Sequence, residues 1–379
     1  MTSDGQGRIL VAMSGGVDSS VAAALLVQAG HEVVGATMKT FCYSGNTGPT
    51  KTCCGLDGIQ DAQRVAAKLG IPHYVFDVEE DFTRDVIDDF VSEYSEGRTP
   101  NPCVRCNSNT KFRDLFKRGR LLGCDGVASG HYVRIDRGES PPRLLRGLDE
   151  GKDQSYFLWG LPAELLNGLH FPLGELTKPE VRSMARALAL GTADKPESQE
   201  ICFVPTGNYR DLLEKKLLPT HAALSQGPIV HVDGRVLGVH DGYASFTVGQ
   251  RKGLGGGAPE PLYVVEIRPA TREVVVGPHS SLNAAGAEVG DLNWLGNRPR
   301  PGDALEVQIR YRAAPIPCVV EAIDDETATV GFPVGAHAVS PGQSSVFFAR
   351  DRVIGGGRLR RSLRAVQSGV SDGARPEVG

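Results

Sequence analysis

RILVAMSGGVDSSVAAALL, running from Arg8 to Leu26, holds a strand, a glycine turn and a helix in one short stretch. RILVAM is an apolar run of strand type, and VAAALLVQAG has helical composition and ends on a glycine. Between them stand Ser14, Gly15, Gly16, Asp18, Ser19 and Ser20. Two glycines allow a bend tight enough to aim several N–H groups at one point. The new helix adds its own unsatisfied N–H groups and the positive end of its dipole, which together suit an anion. Ser14 and Ser19 supply hydroxyl donors, and Asp18 is placed either to cap the helix or to hold a magnesium ion against phosphate. Ser, Asp and Gly also favour ordinary capped turns, but a pattern this long after a strand points to a phosphate loop. It is neither GxxxxGK[ST] nor GxGxxG, and it lacks the lysine that reaches the terminal phosphates in the first of these.

Outward from this turn the chain alternates. HEVVGATMK reads as strand, IQDAQRVAAKLG as helix, HYVFDV as strand, FTRDVIDDFVSEYSEG as helix and CDGVASGHYVRI as strand. That rhythm predicts an α/β domain over residues 1–205, with a parallel sheet covered by helices on both faces. Its ligand belongs beyond the carboxyl ends of the strands, where the glycine turn meets the loop after HEVVGATMK. In TKPEVRSMARALAL, Thr177 and Glu180 have the spacing of a capping box. Residues 206–284 turn Gly-rich with short strand-like pieces and read as a small central domain. Residues 285–365 are dominated by β-type runs such as ALEVQIRY and SSVFFARDRVIGGG, the pattern of a small β-barrel. The polar tail, 366–379, is expected to be disordered.

The totals agree with several domains. A chain of 379 residues exceeds one ordinary core, and 40% hydrophobic with 23% charged residues is globular composition. No apolar run approaches the roughly 20 residues of a membrane helix, and MTSDGQGRILVAM lacks a secretory pattern, so a cytoplasmic location without membrane partners is expected. Eight cysteines in so long a chain are read as buried, metal-binding or catalytic rather than as a disulfide framework. A net charge of −4 excludes a uniformly basic coat but not local patches. Such patches are Lys111 to Arg120, Arg310 with Arg312, and Arg358 to Arg364; each alone is more simply a solvated face.

TPNPCVRCNSNTKF, from Thr99 to Phe112, sets two cysteines in a loop punctuated by Pro and Asn. By itself CxxC could be half a zinc site, a redox pair, part of an iron–sulfur cluster, or a nucleophile with a helper. Zinc needs three or four ligands, and no pair of histidines lies at ligand spacing nearby.

SGGVDSS resembles the signature of the PP-loop ATP pyrophosphatases, in which the loop holds the pyrophosphate end of ATP and an oxygen of the substrate is adenylated. GRTPNPCVRCNSNTKF, ASGHYVR, LLRGLDEGKDQSYFLWGL, FPLGELTKPEVR, ICFVP, TVGQRKGLG, RYRAAPIPC and PGQSSVFF follow in one order. From about Arg8 to about Gly357 the chain thereby resembles the bacterial tRNA-specific 2-thiouridylase family. The resemblance implies a tRNA-uridine sulfurtransferase that exchanges oxygen for sulfur at C2 of the wobble uridine (U34) of tRNAs for Lys, Glu and Gln. ATP with Mg²⁺ adenylates the C2 oxygen, sulfur attacks C2, and AMP leaves. Thiolates and persulfides are strong nucleophiles near neutral pH, and the base must leave its stack, which suits an anticodon loop as partner. A second partner is the sulfur donor: a cysteine desulfurase, a sulfur-relay protein or free sulfide.

By position, Ala12, Met13, Ser14, Gly15, Gly16, Val17, Asp18 and Ser19 match the family's ATP loop, and Met38 and Gly130 its adenine and ribose contacts. Asn101, Pro102 and Cys103 match the segment that meets the target base. Cys106 corresponds to the nucleophile and Cys202 to the cysteine that carries the persulfide. His131, Lys152, Asp153, Gln154, Arg310, Tyr311 and Gln343 correspond to tRNA contacts. Without the resemblance, Cys202 would be a buried small apolar residue, His131 a structural histidine and Arg310 a solvated charge.

One position departs. Many family members have an aspartate where this chain has Cys103, so a carboxylate acid/base role is in doubt here. Cys103, Cys106 and Cys202 instead offer three thiols, enough for a [4Fe–4S] cluster with one iron open to deliver sulfide. The alternative is a persulfide on Cys202 resolved by Cys106, which leaves a disulfide to be reduced. The CxxC tips the balance toward the cluster. Cys42, Cys53, Cys54, Cys124 and Cys318 have no derived role, although the Cys53–Cys54 pair is a candidate second sulfur-handling site. Two other functions fit parts of the sequence: a PP-loop ligase or amidotransferase acting on a small metabolite, and a tRNA-binding protein that only senses ATP. The first leaves the basic patches and paired cysteines without use; the second predicts tRNA binding without release of AMP.

Overall fold

The computed structural model describes residues 7–40, 56–196, 201–204, 207–254 and 260–364. Cys42, Cys53, Cys54 and the tail 366–379 lie outside the described residues.

The first strand, β1 (Arg8–Ala12), pairs in parallel with β2 (Glu32–Lys39) on one side and with β4 (Gly126–Ser129) on the other. Beyond β2 lies β3 (His73–Asp77), and beyond β4 the two-residue strand Leu169–His170, making a five-stranded parallel sheet. Alternation along β1 sends Leu10 to one face and Ile9 and Val11 to the other. Leu10 joins Phe112 and Leu115 of helix Phe112–Leu121. Ile9 and Val11 meet α1 (Val17–Gln28), α2 (Leu56–Leu69) and helix Lys178–Ala187 through Val21, Val65 and Val181. The sheet is therefore buried on both faces, as a parallel sheet must be. Residues Ala12, Ala36 and Ser129 are level in register, so the strand ends open onto one edge.

A second sheet of four strands spans Gly227–Gly277, and a third region closes on itself. In the third, strand Asn283–Trp294 pairs with Thr327–His337 on one side and Arg352–Leu363 on the other. Strands Ile316–Ile323, Ala304–Gln308 and Ser344–Ala349 complete a six-stranded antiparallel barrel filled by Val289, Val307, Val320, Val330 and Phe347. Closure leaves its inner strands no free edge.

CDGVASGHYVRI, read above as a single strand, is divided. The chain turns at Gly130, and Val133–Asp136 forms a hairpin with Arg143–Arg146 that attaches to the barrel instead of the parallel sheet. Arg146 N–H donates to the Asp351 carbonyl (2.8 Å), and Arg134 pairs with the Asp351 carboxylate (2.9 Å). The turn has a steric cause: a Cβ on Gly130 would stand 2.7 Å from the backbone of Asp18 and Ser19, so only glycine lets the chain lie against the first turn of α1.

Candidate active site: a phosphate cradle and a cysteine loop

At the end of β1, Met13 N–H bonds the Ala36 carbonyl (2.8 Å), and the buried Thr37 hydroxyl donates to the Met13 carbonyl (2.8 Å). These bonds hold the start of the loop against β2. Gly15 follows with φ +70°, and a Cβ there would lie 2.1 Å from the carbonyl oxygen of Gly58 on α2. Both the dihedral and the space require glycine. Ser14 N–H reaches Ser19 Oγ at 3.2 Å, and the two hydroxyl oxygens lie 3.3 Å apart, so two donors converge on the mouth of the helix. Gly16, not Asp18, is the N-cap of α1, and no side chain caps it. The free amides of the first turn therefore remain available to an anion.

Asp18 has another role. Both its oxygens face Lys178 Nζ at 2.7 Å, and Tyr132 Oη donates to it at 2.8 Å. Lys178 is buried and opens the helix Lys178–Ala187, where Thr177 and Glu180 form the expected capping box. A second lysine, Lys195, donates to the Gly15 carbonyl (2.9 Å) and to Asp61 of α2 (2.7 Å). Arg182 holds the carbonyls of Ala193 and Lys195, and the buried Thr192 hydroxyl donates to Ser20. The loop thus has two lysines although its local sequence has none. Sequence reasoning missed both, because they arrive from residues 160 and 180 positions away. The capping box beside Lys178 was the one local signal available. This cradle fits the polyphosphate of a nucleotide: a glycine bend, hydroxyls, open helix amides and two ammonium groups. Gly130 lies against the first turn of α1 beside the cradle, and Met38 is buried near the end of β2.

The cysteine loop is built differently. Pro102 starts a short helix, Pro102–Arg105, that continues through a wide turn at Cys106–Lys111 into Phe112–Leu121. Cys103 and Cys106, three apart, share a helical face; Cys103 is exposed and Cys106 half-buried. Cys106 and Cys202 both border one apolar cluster containing Phe82, Phe90 and Phe203. Phe203 meets Phe90 edge-on at 5.2 Å and Phe82 at 5.8 Å, which anchors its neighbour Cys202 there. Cys103 stands outside that cluster, and among the described residues no three His, Cys, Asp or Glu side chains gather as a metal-holding group. Two of the three thiols, Cys106 and Cys202, thus border one apolar cluster, and Cys103 lies exposed one turn from Cys106. Cys124 and Cys318 are buried, and burial raises both thiols, Cys318 to about 12. They are inert at neutral pH.

The barrel grips this loop from behind. Thr99 N–H donates to the Pro341 carbonyl (2.8 Å), and Gln343 Nε2 donates to the carbonyls of Thr99 (2.8 Å) and Pro100 (3.4 Å). Gly342, at φ +91°, leaves no room for a Cβ, which would sit 2.7 Å from Thr99 N. Beneath the loop, the half-buried Arg358 faces Glu93 (2.7 Å), Asp89 (3.0 Å) and Asp291 (3.5 Å), while Arg105 faces Asp89 (3.3 Å). Burial works to raise the Glu93 carboxyl, but Arg98 and Arg358 outweigh it and hold it below the usual range.

The other expected contacts also have partners within the protein. Asp153 accepts from Arg146 (2.9 Å) and from the amides of Gly147 and Ser155. Gln154 is bonded on both its backbone and side chain to the backbone of Tyr132, and Lys152 N–H bonds the Asp149 carbonyl. Arg310 donates to the carbonyls of Val248 (3.1 Å) and Ala338 (2.7 Å). Tyr311 is 37% exposed, with its ring 4.4 Å from that of Phe157. His131 is buried between Phe112 and Phe171 and bonded to Ser129 (2.7 Å); burial, with Lys111 nearby, keeps its pKa well below 6.5. It is a neutral imidazole at physiological pH.

A parallel sheet ending in a lysine-supported glycine cradle defines a nucleotide-binding α/β enzyme domain, here with two β-modules attached. Residues 7–206 match the family described as tRNA methyl transferase HUP domain, residues 215–278 its PRC-barrel domain, and residues 285–359 the aminomethyltransferase beta-barrel domain. The chain is 47% identical to the tRNA-specific 2-thiouridylase MnmA of Rickettsia massiliae, over 95% of this chain and 99% of that one. It is 50% identical to the protein of the same name from Geobacter metallireducens, over 96% and 99%, and 49% identical to that of Anaplasma marginale, over 94% and 91%. The chain belongs to the tRNA-specific 2-thiouridylase family.

Proposed function

We propose that this protein is the ATP-dependent enzyme that places sulfur at C2 of the wobble uridine in tRNAs for Lys, Glu and Gln. The observation that carries this most directly is the convergence of Cys106 and Cys202 on one apolar cluster, in a chain that also builds a phosphate cradle. Methyl transfer, named in the description of the matching family, gives no role to either feature.

ATP enters as its magnesium complex. Ala12 to Ser19 receive the phosphates, with Lys178 and Lys195 as nearby cations, and Met38 and Gly130 border the nucleoside. Asn101 and Pro102 meet the uracil, whose C2 oxygen attacks the α-phosphorus and expels pyrophosphate. The adenylated oxygen is then a good leaving group. The terminal sulfur of a Cys202 persulfide attacks C2, and AMP departs with the former oxygen. Cys106 thiolate next attacks the Cys202 sulfur, the S–S bond breaks, and the electron pair stays on the sulfur now bound to C2. A Cys106–Cys202 disulfide remains and an external thiol reduces it. Cys103, in the place of the family's aspartate, faces the base from the same helical side as Cys106. Neutral His131 cannot repel an incoming cation and does not change charge near pH 7. Lys152 and Tyr311 meet the anticodon loop in this reading, with Asp153, Gln154, Arg310 and Gln343 supporting that surface. A cysteine desulfurase or relay protein passes its persulfide sulfur to Cys202. Free sulfide instead loads it by attacking the Cys202 sulfur of the Cys106–Cys202 disulfide, which breaks the S–S bond, leaves the persulfide on Cys202 and frees the Cys106 thiolate. No helix among the described residues is long and apolar enough to cross a membrane.

Incubation with unmodified tRNA, ATP, Mg²⁺ and a sulfur source, followed by nucleoside analysis, tests the proposal. Formation of 2-thiouridine with stoichiometric AMP is expected, and its loss in C106S and C202S. Absence of 2-thiouridine with every donor would overturn it. Iron and sulfide analysis after anaerobic purification separates the persulfide route from a cluster: the persulfide route requires full activity in iron-free protein.

A further inference from the structure

TVGQRKGLG, from Thr247 to the glycine run, is a motif to which the chemistry above assigns nothing. Its base is fixed to all three domains. Thr99 Oγ1 donates to Thr247 Oγ1 at 3.1 Å, two residues before Asn101. Arg310 of the barrel donates to the Val248 carbonyl, and Val248 packs with Leu282 and Ala338. Gly249 N–H and the Gln250 carbonyl pair with Val264 of the central sheet (2.8 and 2.9 Å). Gln250 then closes the turn internally: its Oε1 accepts from Thr247 N–H (3.0 Å), and its Nε2 donates to the Lys252 carbonyl (2.9 Å). On the far side Leu254 packs against the apolar cluster that Cys106 and Cys202 border.

The tip of this braced turn carries Arg251 and Lys252, both exposed, and neither has an ion pair or side-chain hydrogen bond among the described residues. The contrast with other cations around the site is sharp. Arg310 is directed at carbonyls, Arg358 and Arg105 at carboxylates, and Lys178 at Asp18. Two adjacent positive charges on a rigid turn, between the Thr99 end of the base-binding segment and the cluster by the cysteines, suit a polyanion lying across that gap. Given the function proposed above, on which this rests, we infer that Arg251 and Lys252 bind the RNA phosphates that flank the base being modified. The central domain thereby supplies a third point of attachment for tRNA, beside those on the catalytic domain and the barrel. Phosphate contacts fix register without reading sequence, which is what an enzyme serving several tRNAs needs next to a shared target nucleotide.

Anisotropy titrations of fluorescein-labelled unmodified tRNA over a range of salt concentrations test this, with wild type, R251A/K252A and the charge-conserving swap R251K/K252R. Loss of two phosphate contacts should make the plot of log Kd against log salt shallower by about 1.4 to 1.8. Affinity near 0.1 M salt should fall roughly tenfold, which corresponds to about 1.4 kcal/mol. In steady-state thiolation the loss should appear in KM for tRNA rather than in kcat, and the swap should restore most of the slope. An unchanged Kd and salt slope in R251A/K252A would overturn the inference. So would a defect seen with a protein sulfur donor but not with free sulfide, because the turn would then be a donor-docking surface. If the wild type itself makes no 2-thiouridine, the proposed function fails; if it does and the variant binds normally, only this inference fails.

Discussion

The phosphate cradle and the cysteine loop belong to the same domain, yet they are held by opposite means. The cradle is built within one domain: Gly15 bends the chain, Ser14 and Ser19 bond each other, the wall that Gly15 requires is α2, and Lys178 and Lys195 come from later in the same domain. The cysteine loop has little local support. No side chain caps its first helix, and its entry is fixed by Gln343, 244 residues away in the barrel. Gly342 stands to the cysteine loop as Gly15 stands to the cradle, each a left-handed glycine pressed against another segment's backbone. For the proposed reaction the comparison separates the two chemical steps: activation would depend on one domain, and sulfur transfer on a joint between two.

The strongest test of this division is G15A. A methyl group at φ +70°, 2.1 Å from the Gly58 oxygen, must displace the loop or α2. Formation of AMP with saturating tRNA should fall at least about 100-fold, or about 2.7 kcal/mol of barrel-independent barrier. A circular-dichroism melt should still show a folded protein, because the barrel and central sheet do not touch this contact. Retained AMP formation would mean that the cradle does not depend on its glycine.

G342A is the matching experiment on the other side. Its Cβ would press on Thr99 N and push the segment leading into Asn101 and Pro102 off the barrel. Thiolation should fall about tenfold, or about 1.4 kcal/mol, while the Kd for ATP stays at the wild-type value. If ATP affinity fell as well, the two regions would not be separable.

Q343A is milder, since it removes hydrogen bonds without adding a clash. At about 0.5–1.5 kcal/mol for such bonds, kcat should fall roughly three- to tenfold. A purely RNA-contacting Gln343 would instead raise KM for tRNA at constant kcat. The split between kcat and KM therefore shows whether Gln343 positions Thr99 and Pro100 or touches the substrate.

The same contrast governs what was legible in the sequence. The cradle, the sheet and the capping box at Thr177 could be read because each rests on residues close together in the chain. The barrel could be expected from its strand pattern, but not that Val133–Asp136 would join its side. A strand pattern specifies a strand, and the steric demand at Gly130 that redirects it lies on α1. Lys178 and Lys195 were invisible for a related reason: lysine on a helix or turn reads as a solvated charge until folding sets it beside Asp18 and Asp61. Arg358 was misleading in the opposite sense. Its run of arginines reads as a basic face, but the half-buried charge is paired with Glu93, Asp89 and Asp291.

That paired group gives the smallest effect and the most specific one. Burial pushes the Glu93 carboxyl up, and the Arg98 and Arg358 guanidiniums pull it further down, so its folded pKa lies below its unfolded value near 4.5. A depressed carboxyl stabilises the fold fully above the unfolded pKa and loses that contribution as pH falls through the folded pKa. E93Q should therefore be less stable than wild type at pH 7, by about 1 kcal/mol, because Asp89 and Asp291 still face Arg358. As pH drops below about 4.5, wild type should lose this advantage and the two denaturation midpoints should converge. A pH-independent gap between the curves would mean that Glu93 contributes by packing alone. Convergence would instead tie the joint under the cysteine loop to charge, whereas the steric demand at Gly15 carries no such pH dependence.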